Sequence, residues 1–133
     1  MIAITSSGQN LKANVDPRFG RSQHFLILDE KGNLEEVISN PGVGARRGAG
    51  VQAAQTIADQ EVEALITGNI GPNAFSALQT AGIDVFLTGG IAVEDAFEKW
   101  QAGNLSKAES PTKPSGRGRG TGQGSGRGKR GPR

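Results

Sequence analysis

Among its 133 residues the chain has no cysteine and one histidine, His24. Without cysteine there is no disulfide, no thiolate zinc site, no cysteine-ligated iron–sulfur cluster and no thiol nucleophile. One histidine and many serines fix no Ser-His-Asp arrangement either. No apolar run approaches the roughly 18 residues needed to span a bilayer. The opening MIAITSSGQN lacks the basic start and long apolar stretch of a signal peptide. The expectation is a soluble cytoplasmic protein without membrane contact.

Charge is scarce in one part of the chain and concentrated in another. The formal charge is +2, yet residues 109–133 hold Lys113, Arg117, Arg119, Arg127, Lys129, Arg130 and Arg133 against Glu109 alone, a net of +6 that leaves residues 1–108 at −4. The basic segment has glycine at nearly every second position and no large apolar residue, so it cannot bury enough surface to offset the entropy of ordering. The sequence therefore predicts one α/β domain over 1–108 and a disordered Gly/Arg-rich tail over 109–133. In the tail, Gly126-Arg127-Gly128-Lys129-Arg130-Gly131 matches a dinucleotide fingerprint with no strand before it and no helix after it, so the match is accidental.

Within 1–108 the hydrophobic period changes once. Met1 to Thr5, Phe25 to Asp29 and Leu34 to Ile38 read as strands, the last two joined by the turn Glu30-Lys31-Gly32-Asn33. Helices are expected at about 49–60, 72–81 and 92–102, and further strands at 64–67 and 83–87. Ala74, Ala77, Leu78 and Ala81, and again Val93, Ala96, Phe97 and Trp100, follow helical spacing, and Gly82 and Gly103 supply the stops. Val51, Ala54, Ile57 and Ala58 mark the buried face of the first helix. Phe75, Phe97 and Trp100 read as core. Together these describe a mixed sheet of about five strands with three helices on its faces.

Right-handed crossovers would bring the ends of strands 1, 4 and 5 to one edge. Thr5-Ser6-Ser7-Gly8, Thr67-Gly68-Asn69 and Thr88-Gly89-Gly90 then place hydroxyls, an amide and glycines together. The stretch Thr67-Gly68-Asn69-Ile70-Gly71-Pro72-Asn73 also opens a helix, with Pro72 at a first position whose N–H is not needed. Its first-turn N–H groups suit an anion. Arg18 and Arg21, flanking Phe19 and Gly20, and Arg46 and Arg47, ahead of Gly48 and a helix start, read as a guanidinium clamp for that anion. The site residues expected from these loops are Ser6, Ser7, Arg18, Phe19, Arg21, Arg46, Arg47, Gly48, Thr67, Gly68, Asn69, Gly71, Asn73, Thr88 and Gly89.

VDPRFGRSQHFLILDE, NPGVGARRGAGVQAAQ and ITGNIGPNAFSALQTAGIDVF resemble the dinitrogenase iron-molybdenum cofactor biosynthesis family, from the first strand to about residue 106. Its members include nitrogenase cofactor carriers and a small protein holding a molybdenum–copper–sulfide cluster. The resemblance implies a ribonuclease H-like sheet. It also implies a non-enzymatic role in binding, carrying or inserting an anionic metal–sulfur cofactor of iron–molybdenum or molybdenum–copper type, with cofactor-assembly proteins as partners.

Many members carry histidine where this chain has Arg18 and Arg46-Arg47. That departure points to a preassembled anionic cluster held by arginines and N–H groups, and away from direct metal coordination. His24 is expected to be structural. A nuclease reading of the same fold would need converging carboxylates; strand 1 has none, and Asp29 and Glu30 have no partner set. The remaining alternative is a nucleic-acid-associated protein whose basic tail contacts RNA or DNA weakly and without sequence preference.

Overall fold

A computed structural model describes residues 1–41 and 48–112. The elements follow in the order β1 (Ile2–Ser6), β2 (His24–Leu28), β3 (Leu34–Ser39), α1 (Ala49–Ala58), β4 (Ala64–Thr67), α2 (Pro72–Thr80), β5 (Asp84–Leu87), α3 (Val93–Gln101) and β6 (Ser106–Lys107). They form one mixed sheet in the order β3-β2-β1-β4-β5-β6. β1, β4 and β5 run parallel, whereas β2, β3 and β6 join antiparallel.

Alternation along the strands divides the core between the two faces. Ala3, Phe25, Ile27, Leu65 and Val85 pack with Ala53, Ala54 and Ile57 of α1 and Phe75 and Leu78 of α2. Ile2, Ile4, Leu26, Leu28 and Ile66 pack with Val93, Ala96 and Phe97 of α3. Both faces are covered, which is why β1 and β4 are buried at every position and read as apolar runs up to their polar ends, Thr5-Ser6 and Thr67. Each fully buried Ile, Leu or Phe contributes about 1.5 to 3 kcal/mol. Trp100 completes the α3 face, with its ring edge-on to Phe86 at 6.3 Å and tilted against Phe97 at 5.8 Å.

Three local differences from the sequence reading have physical causes. On α1 the buried set is Ala49, Ala53, Ala54 and Ile57, so Val51 is displaced from the core stripe. Its helix also lacks a stop glycine; Glu61 takes the left-handed conformation (φ 58°) that Gly82 and Gly103 supply after α2 and α3. The sixth strand is two residues long and carries no periodicity, yet it pairs with Phe86 and Leu87 and leads into buried Ala108. Arg46, Arg47 and residues 113–133, most of the 109–133 segment expected to be disordered, lie outside the described residues, whereas 109–112 are described.

Candidate anion-binding site

The parallel register aligns Ile4 with Ile66 and Thr67 with Leu87, so the C-terminal ends of β1, β4 and β5 share one edge of the sheet. The hydroxyls nearest the strands are consumed internally. Thr5 Oγ1 donates to the Asp16 carbonyl at 2.8 Å and also bonds Thr67 Oγ1 at 3.0 Å, and both threonines are fully buried. Ser6 Oγ donates to the Gly8 carbonyl and accepts the Gly8 N–H. Ser7 is exposed and donates to Asn14 at 3.3 Å. Thr88 N–H donates to the Thr67 carbonyl, and the Gly89 carbonyl accepts from Ile91.

Beside this edge, on the face covered by α1 and α2, lies a cleft of about 200 Å³ lined by Phe19, Gly20, Gly48, Gly50, Val51, Asn69, Gly71, Asn73 and Ala74. One wall is the loop from Asp16 to Arg21. It docks on the β4–α2 turn through Phe19 N–H to the Asn69 carbonyl (3.3 Å) and Asn69 Nδ2 to the Pro17 carbonyl (3.2 Å). Gly68 permits this, because a Cβ there would stand 2.7 Å from Pro17 Cα. A Cβ on Gly20 would likewise meet Gly50 backbone at 3.0 Å. Phe19 is buried and stacks on Phe25 at 5.8 Å, and Asn40 Nδ2 holds the Gly20 and Ser22 carbonyls.

The other walls are the first turns of α1 and α2. Gly48 (φ 71°) and Gly71 stand at the N-caps, neither helix has a side-chain cap, and neither has an acid in its first turn. Among the described residues, the N–H groups of Ala49, Gly50, Val51, Asn73 and Ala74 have no protein acceptor. Each helix start carries about half a positive charge. Two such ends opening on one cleft favour an anion with several acceptor atoms.

Phe19, Gly48, Asn69, Gly71 and Asn73 of the expected residues thus line the cleft, and Gly68 shapes it from behind. Ser6, Ser7, Thr67, Thr88 and Gly89 do not line it. Arg18 turns its Nε to Asp16 Oδ1 at 3.4 Å with the guanidinium half exposed, while Arg21 is exposed beside Gly20. Gly20, Gly50, Val51, Ala74 and the positioning residue Asn40 were not in the expected set. Gly20 and Gly50 stood within the two glycine-containing loops, and Asn40-Pro41 is a turn signal. His24 opens β2 between Ser6 and Ser39, and its Nδ1 is buried with no hydrogen-bond partner among the described residues. Among the described residues no three of His, Cys, Asp and Glu converge as a metal site.

The family profile for dinitrogenase iron-molybdenum cofactor proteins matches residues 1–103. The chain belongs to that family. It is similar to the apo form of the orange protein from Desulfovibrio gigas, at 39% identity and a TM-score of 0.79, over 84% of this chain and 95% of that one. A candidate NifB protein of the DUF35 family from Thermotoga is 36% identical with a TM-score of 0.74, over 86% and 97% of the two chains. An uncharacterized protein of Methanocaldococcus jannaschii is 34% identical over 98 residues, 71% of this chain and 83% of its own length. Among the described residues no helix is long and apolar enough to cross a membrane.

Proposed function

We propose that this family member binds and carries an anionic metal–sulfur cofactor, of iron–molybdenum or molybdenum–copper type, as cargo in the cleft between α1 and α2. The observation that carries this reading is the meeting of two uncapped helix N-termini over one glycine-lined cleft. The donor set suits such cargo. Backbone N–H groups and the amides of Asn69 and Asn73 present donors to sulfide or oxo ligands, whereas no thiolate or imidazole lines the cleft to replace those ligands. Cargo held only by hydrogen bonds and helix dipoles can be released without breaking a metal–protein bond, which suits carriage.

Among the described residues the lining also includes no acid, base or nucleophile, which supports the reading of a binding protein over an enzyme. Its test is a titration of apo protein with tetrathiomolybdate alongside Zn²⁺, Fe²⁺ and Cu²⁺, joined to elemental analysis of protein purified anaerobically from its native source. Binding of the thiometallate with little affinity for the bare ions is expected. Tight Zn²⁺ binding that vanishes in His24→Ala would overturn the reading in favour of direct ligation.

A further inference from the structure

At the opposite end of the sheet from the cleft, where β1 and β4 begin, lies a depression of about 320 Å³. Its apolar lining is Met1, Ile2 and Trp100, and Met1 is 44% exposed, more than any other large hydrophobic among the described residues. Phe86 and Phe97 hold the Trp100 ring from the core side and leave it part-exposed. Gln101 Nε2 donates to the Glu30 carbonyl at 3.1 Å, which ties the β2–β3 turn to the end of α3 and fixes two walls of the depression. The rim is acidic. Asp29, Glu30 and Glu63 line it, and exposed Asp59 and Glu61 lie in the connection leading into β4. Against these five carboxylates stand the Met1 ammonium, 3.6 Å from Glu63, and Lys31 on an adjoining depression. Asp29 is engaged by the backbone of its own turn, whereas Glu30 has no ion pair among the described residues.

We propose that this depression is a docking site for a basic segment of a partner protein, which seats one Arg or Lys side chain on Trp100 with its charge among the Glu30 and Glu63 carboxylates. Charge complementarity selects the occupant. The stem of a long basic side chain covers apolar surface while its head stays with the carboxylates. A cation over an indole face is also attracted by the ring. A depression of this size is at the lower limit for small-molecule pockets and suits one anchoring side chain. The same rim repels a nucleic acid or an anionic membrane, and a second copy would bring an equally acidic rim against this one. An occupant here leaves the cleft open, because the two lie at opposite ends of the parallel strands. The inference does not depend on what the cleft carries.

Trp100 is the only tryptophan of the chain, so its emission reports on this depression directly. The test titrates the full chain with the acetylated peptide Ala-Lys-Arg-Ala-Arg-Lys-Ala, and with the same peptide carrying Gln at each basic position. The basic peptide should change Trp100 emission saturably, with an affinity that falls as salt rises, and the Gln peptide should not. Glu30→Lys combined with Glu63→Lys should weaken peptide binding by at least about tenfold, because like charges then face each other. Both side chains are exposed, so the melting temperature should stay near that of the parent. An emission that does not respond, or a response equal for the two peptides or for the parent and charge-reversed chains, would overturn the proposal. So would Trp100 emission that varies, before any peptide is added, with protein concentration or with salt, since a second copy or the chain's own basic segment would then be the occupant.

Discussion

The N-terminus of α3 and those of α1 and α2 handle the same problem in opposite ways. At α3, the N–H groups of Val93 and Glu94 donate to the carbonyls of Ala13 and Leu11 at 2.8 and 3.0 Å, and Glu94 and Asp95 place carboxylates in the first turn. None of the three helices has a side-chain cap, but α1 and α2 also have no acid in the first turn. The same contrast recurs in the loops. Asp29 Oδ1 accepts the N–H groups of Lys31 and Asn33, and Asp16 Oδ1 accepts that of Arg18. In those two turns the chain provides its own carboxylate, and among the described residues the cleft has none. With glycine at the N-cap, leaving a helix end without a capping side chain forgoes roughly a few tenths of a kcal/mol. Two such ends at one cleft are better understood as reserved for an external anion than as neglected.

The comparison breaks most visibly at the glycines that build the cleft. Gly68→Ala places a Cβ 2.7 Å from Pro17 Cα, a backbone atom that cannot swing aside, and should cost about 1 to 3 kcal/mol in denaturant unfolding. The loop bearing Phe19 and Gly20 should loosen with it, lowering thiometallate affinity as well. A variant as stable as the parent would mean that the wall is not held by that contact.

A second substitution gives the α2 N-terminus a carboxylate of its own, as Glu94 and Asp95 do for α3. At Gly71 a Cβ would meet nothing within 4 Å and the backbone is extended (φ −82°), so Gly71→Asp has room to cap the helix. It should stabilise the protein by about 0.5 to 1 kcal/mol and at the same time abolish or greatly reduce thiometallate binding. Melting temperature and titration should move in opposite directions. A gain in stability with undiminished binding would show that the α2 end is not the anion site.

The fold was legible because most of its determinants are periodic. The α2 and α3 stripes, the stop glycines and the 30–33 turn all predict the elements that form. β6 was not legible, since two exposed residues, Ser106 and Lys107, pair by backbone alone. The cleft was legible as far as glycine and the helix start mark it, hence Gly48, Gly71 and Asn73. The hydroxyl residues lie apart from the cleft for a physical reason: sequence does not say which way a strand-end side chain turns, and Ser6 and Thr67 turn inward to knit the edge. Arg18 read as free charge because its Asp16 partner lies two residues away across a proline turn.

On the α3 side the expected effects are smaller. Glu94→Gln combined with Asp95→Asn should cost about 0.3 to 1 kcal/mol through the helix dipole, and the exposed Lys12–Glu94 pair at 3.1 Å should add little. Thiometallate binding should be unchanged. If binding strengthened appreciably, α3 would be competing for the same ligand and the division between filled and open ends would fail.

The smallest effect concerns the hairpin, where the carboxylate that fills the N–H groups can itself be titrated. Hydrogen bonds from the Asn33 and Lys31 backbone and the Asn33 side chain hold the Asp29 carboxyl below its ordinary value of 3.8. A carboxylate depressed in the folded state contributes stability that is fully present above its unfolded pKa and is lost as pH falls through the folded one. Asp29→Asn keeps an acceptor in place and removes only the charge. The melting-temperature difference between parent and Asp29→Asn should therefore be constant above about pH 5 and shrink as pH falls below about 4. It should also shrink with added salt, because the group is exposed to solvent. A difference that persisted unchanged at low pH would mean that the turn is held by acceptor geometry alone, and the hairpin would no longer count among the places this chain fills with its own charge.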